Sequence, residues 1–240
     1  MIVIPAIDLK DGQCVRLFQG RRDAVTRYSN DPVGTAKRWE YCGAELLHIV
    51  DLDGAFTGSQ KNLEVIKKIR EAVNIPIQIG GGIRTIDNIN KILEIGIDRI
   101  IVGTAAVEDP EFIHSSCNKY PGRILVGIDA KDGMLAIKGW QEITTVNAVE
   151  LARRLEIEGI AGFVYTDISK DGTLSGPNIN AIRKIVESVK LPVIAAGGVS
   201  TIEDIKKLME IKGLWGVITG KAIYEGTLDL KEAIKIVKNN

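Results

Sequence analysis

Near its N-terminus the chain carries Pro5-Ala-Ile-Asp-Leu-Lys-Asp-Gly12, and near its middle Val126-Gly-Ile-Asp-Ala-Lys-Asp-Gly133. Ile7, Asp8, Lys10, Asp11 and Gly12 match Ile128, Asp129, Lys131, Asp132 and Gly133 at one constant offset. The correspondence continues at a second, slightly smaller offset: Asp51 with Asp167, Pro76 with Pro192, Gly81 with Gly197, Gly82 with Gly198 and Thr85 with Thr201. Gly103 and Ala105 then match Gly220 and Ala222 one residue further on. Self-similarity on this scale restricts the chain to architectures that two like halves can build together.

Short β-branched runs alternate with longer amphipathic ones. Strands are expected at Ile2–Ile7, Leu46–Val50, Ile75–Ile79, Arg99–Val102, Ile124–Ile128, Gly162–Tyr165, Pro192–Ala195 and Gly216–Ile218. They are apolar on both faces, as parallel strands buried between layers are. Helical patterns separate them, at Pro32–Cys42, Lys61–Ala72, Thr85–Ile95, Pro110–Asn118, Val146–Glu158, Asn178–Val189, Thr201–Glu210 and Leu228–Val237. Thr85 and Thr201 read as N-caps, and Gly43, Gly96 and Gly159 stand where helices should stop. Strict alternation of this kind argues for a closed (β/α)8 TIM barrel. An open doubly wound sheet usually carries G-x-G-x-x-G after its first strand, and here Asp8-Leu-Lys-Asp-Gly12 follows instead. The expectation is one domain over 1–240, made of fused half-barrel repeats of about 1–122 and 123–240.

Lys+Arg and Asp+Glu balance at 31 each, so no basic footprint for nucleic acid exists, and any anionic ligand must be met by local groups. No run approaches the roughly twenty apolar residues of a membrane span. Cys14, Cys42 and Cys117 are scattered without C-x-x-C spacing, which suggests free thiols in a reducing compartment. A cytoplasmic protein with no membrane or nucleic-acid partner is expected, working as a monomer.

In a barrel of this kind the strand C-termini and the loops after them form the working face. Asp8 and Asp129 end the first and fifth strands, across the ring from each other. A lone strand-end Asp commonly caps a helix or closes a loop. Two in opposed, equivalent positions can instead divide proton transfer, one as acid and one as base. Glycine-rich turns form a second constellation. Gly80-Gly81-Gly82-Ile83-Arg84 follows the third strand and Gly103-Thr104 the fourth; Gly197-Gly198 and Gly220 are their counterparts. Such turns let the backbone approach a phosphate at a helix N-terminus, or simply turn tightly. If both pairs bind, the aspartates lie between two phosphates, and a long bis-phosphorylated substrate fits. His48, inside the second strand, either fills the barrel or faces the site; Trp140, in the fifth loop, either stacks on a planar heterocycle or packs beneath its loop. His114 reads as surface. No metal-ligand spacing and no acyl-enzyme motif occurs.

Together, Pro5-Ala-Ile-Asp-Leu9, Val15-Arg-Leu-Phe-Gln-Gly20, His48-Ile-Val-Asp-Leu-Asp-Gly-Ala55, Gly80-Gly-Gly-Ile-Arg84, Gly139-Trp140, Thr166-Asp-Ile-Ser-Lys-Asp-Gly-Thr173 and Gly176-Pro-Asn178 resemble a known family. It is the phosphoribosyl-formimino aminoimidazole carboxamide ribotide isomerases of histidine biosynthesis, and the resemblance runs the whole chain. It implies an Amadori rearrangement, aminoaldose to aminoketose, of a bis-phosphorylated N-ribosyl aminoimidazole carboxamide, with no cofactor and no metal. By motif it implies Asp8 as general base and Asp129 as general acid. Phosphate contacts are implied at Gly81, Gly82, Arg84, Gly103 and Thr104, and at Gly172, Thr173, Gly197, Gly198 and Gly220. Other substrate contacts are implied at Arg16, Gly20, His48, Asp51, Trp140, Thr166 and Asp167.

Two siblings share much of this pattern. The cyclase subunit of imidazole glycerol phosphate synthase has a similar barrel and both aspartates, but Arg16-Leu-Phe-Gln-Gly20 and Gly139-Trp140 speak against it. A dual-substrate isomerase that also takes phosphoribosylanthranilate is not excluded by these motifs. A non-catalytic phosphosugar sensor would not need both acids.

Overall fold

Eight parallel strands close into a ring in the computed structural model, which describes residues 1–239. The strands are β1 (Ile2–Lys10), β2 (Gln13–Leu17), β3 (Val25–Ser29), β4 (Leu47–Asp51), β5 (Ile77–Gly80), β6 (Arg99–Val102), β7 (Ile124–Lys131), β8 (Met134–Ile137), β9 (Glu142–Asn147), β10 (Gly162–Asp167), β11 (Val193–Ala196) and β12 (Leu214–Thr219). The α-helices are α1 (Pro32–Tyr41), α2 (Leu52–Thr57), α3 (Leu63–Ala72), α4 (Ile86–Glu94), α5 (Ala105–Glu108), α6 (Pro110–Lys119), α7 (Ala148–Leu155), α8 (Ile179–Ser188), α9 (Ile202–Met209), α10 (Lys221–Glu225) and α11 (Leu230–Lys238). Around the ring the order is β1, β4, β5, β6, β7, β10, β11, β12, with β12 pairing back onto β1. This is a (β/α)8 barrel, and it sets β1 opposite β7.

Each ring strand is buried twice, which is why its sequence shows no polar alternation. Along β1, Val3, Ile7 and Leu9 face the layer under the helices, while Ile4 and Ala6 face the interior with Leu46, Ile101, Leu125 and Ile194. The helices start where side chains can cap them. Thr85 Oγ1 accepts from the Asn88 amide at 3.1 Å, and Thr201 and Asp204 form a reciprocal capping box. Gly43, Gly96 and Gly159 follow helix ends with φ of 96°, 89° and 79°, as their positions predict.

The first and fifth strands are longer than expected. β1 runs on through Asp8 to Lys10, turns at Asp11-Gly12, and returns as antiparallel β2. Both turn residues have positive φ, 50° and 73°, and Asp132-Gly133 does the same between β7 and β8, at 52° and 79°. Asp-Gly is a favoured pair for a two-residue hairpin. The repeated Lys-Asp-Gly thus encodes a turn, and β2–β3 and β8–β9 are hairpins raised on the rim. Short helices α2, α5 and α10, also absent from the sequence reading, follow β4, β6 and β12 directly.

Matched hydrogen bonds recur in the two halves. Glu40 Oε1 accepts from the Asn74 and Ile75 amides at 2.7 and 3.2 Å, and Glu156 Oε1 from those of Lys190 and Leu191. The three cysteines are free, Cys14 and Cys117 buried and Cys42 half-buried. Among the described residues no helix is long and apolar enough to cross a membrane.

Candidate active site

A cavity of about 250 Å³ opens at the C-terminal end of the ring. Asp8 and Asp129 enter it from β1 and β7, His48 from β4 and Thr166 from β10. Asp171 joins them from the loop after β10. A smaller lobe adjoins it, lined by Gly172, Gly197, Gly198, Thr219, Gly220 and Lys221. Arg16 and Asp171 border both spaces.

The two strand-end carboxylates have different surroundings. Asp8 Oδ2 accepts from Arg16 Nη1 at 2.7 Å, and Arg16 Nη2 donates to the Ala6 carbonyl at 2.9 Å. Burial pushes the Asp8 carboxyl up, and the Arg16 charge pulls it back toward ionisation. Its other oxygen, Oδ1, is buried with no partner among the described residues. Among the described residues Asp129 has no cation paired with it. Burial pushes it up as well, opposed only by hydrogen bonds from the Trp140 and Thr166 side chains.

Asp171 is the acidic residue that the sequence reading passed over. Burial raises its pKa to about 6; Arg16 and Lys221 pull it down, while Asp8 and Asp129 push it up. Three carboxyl groups therefore share one chamber, and a proton held among them near neutral pH belongs to the group. The signal was present in Lys170-Asp171-Gly172, a third copy of Lys-Asp-Gly, but the position equivalent to Asp171 in the first half is Ala55. A search for repeats therefore could not select it.

Trp140 sits in the turn between β8 and β9 with φ of 69°. Its ring packs on Gly20, where any added Cβ would overlap the indole, so the first and fifth loops meet over the cavity. Arg22 lies 4.1 Å above the Phe56 ring, tying the tip of the first loop to α2. Gln19 Nε2 donates to the Ser169 carbonyl at 3.0 Å, which links the first loop to the one carrying Asp171.

Gly81, Gly82, Arg84, Gly103 and Thr104 line the main cavity, and Gly172, Gly197, Gly198 and Gly220 line the smaller lobe. A Cβ on Gly198 would stand 2.5 Å from the Gly176 carbonyl, so chain packing alone demands glycine there. Gly103 differs, with nothing within 4 Å of an added Cβ. Thr219 was also missed; its hydroxyl is buried in the smaller lobe without a partner among the described residues.

Three expected contacts lie elsewhere. Asp51 is fully buried, accepting from the Gly54 amide at 2.9 Å and Asn62 Nδ2 at 2.6 Å. Asp167 accepts from Ser169 Oγ at 2.6 Å and Asn178 Nδ2 at 2.7 Å. Both are loop-closing groups outside the cavity, the ordinary role of a strand-end Asp. Thr173 Oγ1 donates to the Lys170 carbonyl at 2.7 Å and lines neither space. His114 is exposed, 3.3 Å from Glu158. Among the described residues no cluster of His, Cys, Asp and Glu could hold a metal ion.

A family model described as histidine biosynthesis protein matches residues 2–229. A curated protein from Thermodesulfovibrio yellowstonii is 59% identical over 240 residues, spanning 100% of this chain and 98% of that one. Others, from Syntrophotalea carbinolica and Geobacter sulfurreducens, are 53% and 54% identical, over 99% of this chain and 99% and 98% of theirs. All three bear the name 1-(5-phosphoribosyl)-5-((5-phosphoribosylamino)methylideneamino) imidazole-4-carboxamide isomerase.

Proposed function

The chain belongs to the histidine biosynthesis protein family, and from that premise we propose that it isomerises the bis-phosphorylated imidazole carboxamide aminoaldose for which its relatives are named. The reaction is an Amadori rearrangement, an intramolecular oxidation and reduction that yields the aminoketose. The observation that carries the residue roles is the unequal pairing of Asp8 and Asp129 in one cavity.

Asp8, held beside Arg16, serves as the base. Asp129, its carboxyl pushed up by burial, serves as the acid, and Asp171, raised to about 6 in the same chamber, is a second group that holds a proton there. That acid protonates the furanose ring oxygen, the C1′–O bond breaks, and the nitrogen lone pair forms an iminium. Asp8 takes the C2′ proton through its unpartnered Oδ1, and the C–H electrons neutralise the iminium. The resulting enaminol tautomerises to the ketose. Trp140, on the cavity edge, is placed to lie against the planar imidazole carboxamide.

The substrate's two phosphates occupy opposite ends. One meets the Gly81–Arg84 turn and the start of α5, the other the Gly198 turn and the start of α10. A short extra helix after a late strand is a common phosphate holder in barrels, and here one stands on each side. Lys221 and the free Thr219 hydroxyl support the second site.

The test is turnover. Purified protein should convert the imidazole carboxamide aminoaldose to its ketose without ammonia. Ammonia-dependent ring closure would indicate the cyclase instead, and binding without conversion a sensor. Parallel assay of phosphoribosylanthranilate measures any second specificity.

A further inference from the structure

Beneath the carboxylates the barrel interior holds a buried polar pair. His48 on β4 and Gln78 on β5 are partners in register, 8% and 0% exposed. Gln78 Nε2 stands 3.1 Å from His48 Nδ1. In the other half, Val164 and Ile194 are the equivalent pair, in the same parallel register between β10 and β11. The barrel therefore closes well with two hydrocarbons at this level. A histidine and a glutamine there carry a desolvation cost that packing does not repay. Gln78 Oε1 adds to it, buried with no partner among the described residues.

We propose that Gln78 is a positioning residue that holds His48 in the Nε2–H tautomer, so that a neutral imidazole donates a hydrogen bond upward to a sugar oxygen of the substrate. An amide nitrogen only donates, so Nδ1 accepts and the single ring proton sits on Nε2. Nδ1 faces Gln78, leaving Nε2 for the cavity that His48 lines. Burial and the Arg16 guanidinium push the imidazole pKa down to about 3, so the ring stays uncharged and its tautomer alone decides what it offers. The other tautomer would present a lone pair and repel an oxygen.

The inference rests on the isomerase reading. In that reaction the C2′ hydroxyl becomes a carbonyl, and a fixed donor favours the charge that gathers on this oxygen. His48 keeps its proton throughout.

The chain has two histidines, so labelling histidine with 15N gives a simple spectrum, and His114→Gln assigns it. The wild type should show His48 protonated on Nε2 and not titrating between pH 5 and 9. Gln78→Ile copies Ile194. It should fold with unchanged or higher melting temperature, show the proton shared between both nitrogens, and lose about tenfold in kcat with KM nearly constant. That is a fraction of the 10²–10³ typical of deleting a fixed donor outright. Gln78→Met provides the same readout without β-branching. A wild-type His48 protonated on Nδ1 overturns the proposal, as does an unchanged kcat in both variants. The tautomer is read without turnover, so a wild type that turns nothing over refutes the isomerase reading alone.

Discussion

Asp171→Asn should make the protein more stable at alkaline pH while disabling it. The wild-type carboxyl sits at about 6 in the folded protein, against an ordinary 3.8. Its contribution to folding is therefore fullest below 3.8 and is lost as pH rises through about 6. That displacement corresponds to about 3 kcal/mol. Asp171 is only half-buried. Screening by water trims the figure, and about 1–2 kcal/mol is expected. Asparagine carries no charge to bury, so the variant should exceed the wild type by this amount at pH 8. The gain should shrink as pH falls, by about a quarter at pH 5 and by more at pH 4. Urea unfolding of both proteins at pH 5, 6.5 and 8 measures it. In the same variant, loss of a proton-transfer group should lower kcat by about 10²–10⁴. A stability gap that does not vary with pH would remove the account of Asp171 as a carboxyl strained by its neighbours, and an unchanged kcat would remove it from the chemistry.

Asp8→Asn keeps the shape of the base and deletes its basicity; kcat should fall by about 10²–10⁴ while substrate still binds, and retained turnover would refute the assignment. Trp140→Ala should raise KM several-fold, since a stacked aromatic pair is worth about 0.5–1.5 kcal/mol, and Trp fluorescence titration with substrate checks it. Crystals soaked in phosphate should show density beside Gly82 and Gly103 and beside Gly198 and Gly220; density at one end only would remove the two-phosphate argument.

The barrel was legible because its two strongest signals are local: buried β-branched runs and capped amphipathic helices. Thr85 and Thr201 marked helix starts within one residue. What was not legible depended on geometry that sequence spacing does not carry. The Asp11-Gly12 turn extends β1 past its carboxylate, and the hairpin it starts delivers Arg16 to Asp8 from across a bend. Asp51 and Asp167 were expected as site residues through the motifs His48–Ala55 and Thr166–Thr173, yet both make the same loop closure, with Asn62 and Asn178. Repetition identifies what the frame needs twice. It does not separate a ligand contact from a structural bond.

The chemistry lies where the two halves differ. Arg16 stands on β2 where β8 carries Ile137, each four residues past the glycine of its hairpin turn. Ile137 is buried, and among the described residues Asp129 has no cation paired with it. That single difference makes one of two like-placed carboxylates the better base and the other the better acid. Asp171 faces a chamber whose opposite wall has Ala55 at the equivalent place, so the third carboxyl, which feels Arg16, Asp8 and Asp129, has no counterpart across the ring. His48 and Gln78 replace a Val–Ile pair on the floor in the same one-sided way. A symmetric ring suits a substrate with a phosphate at each end, but a proton must leave one atom and arrive at another. The frame supplies the reach, and the unmatched residues supply the direction.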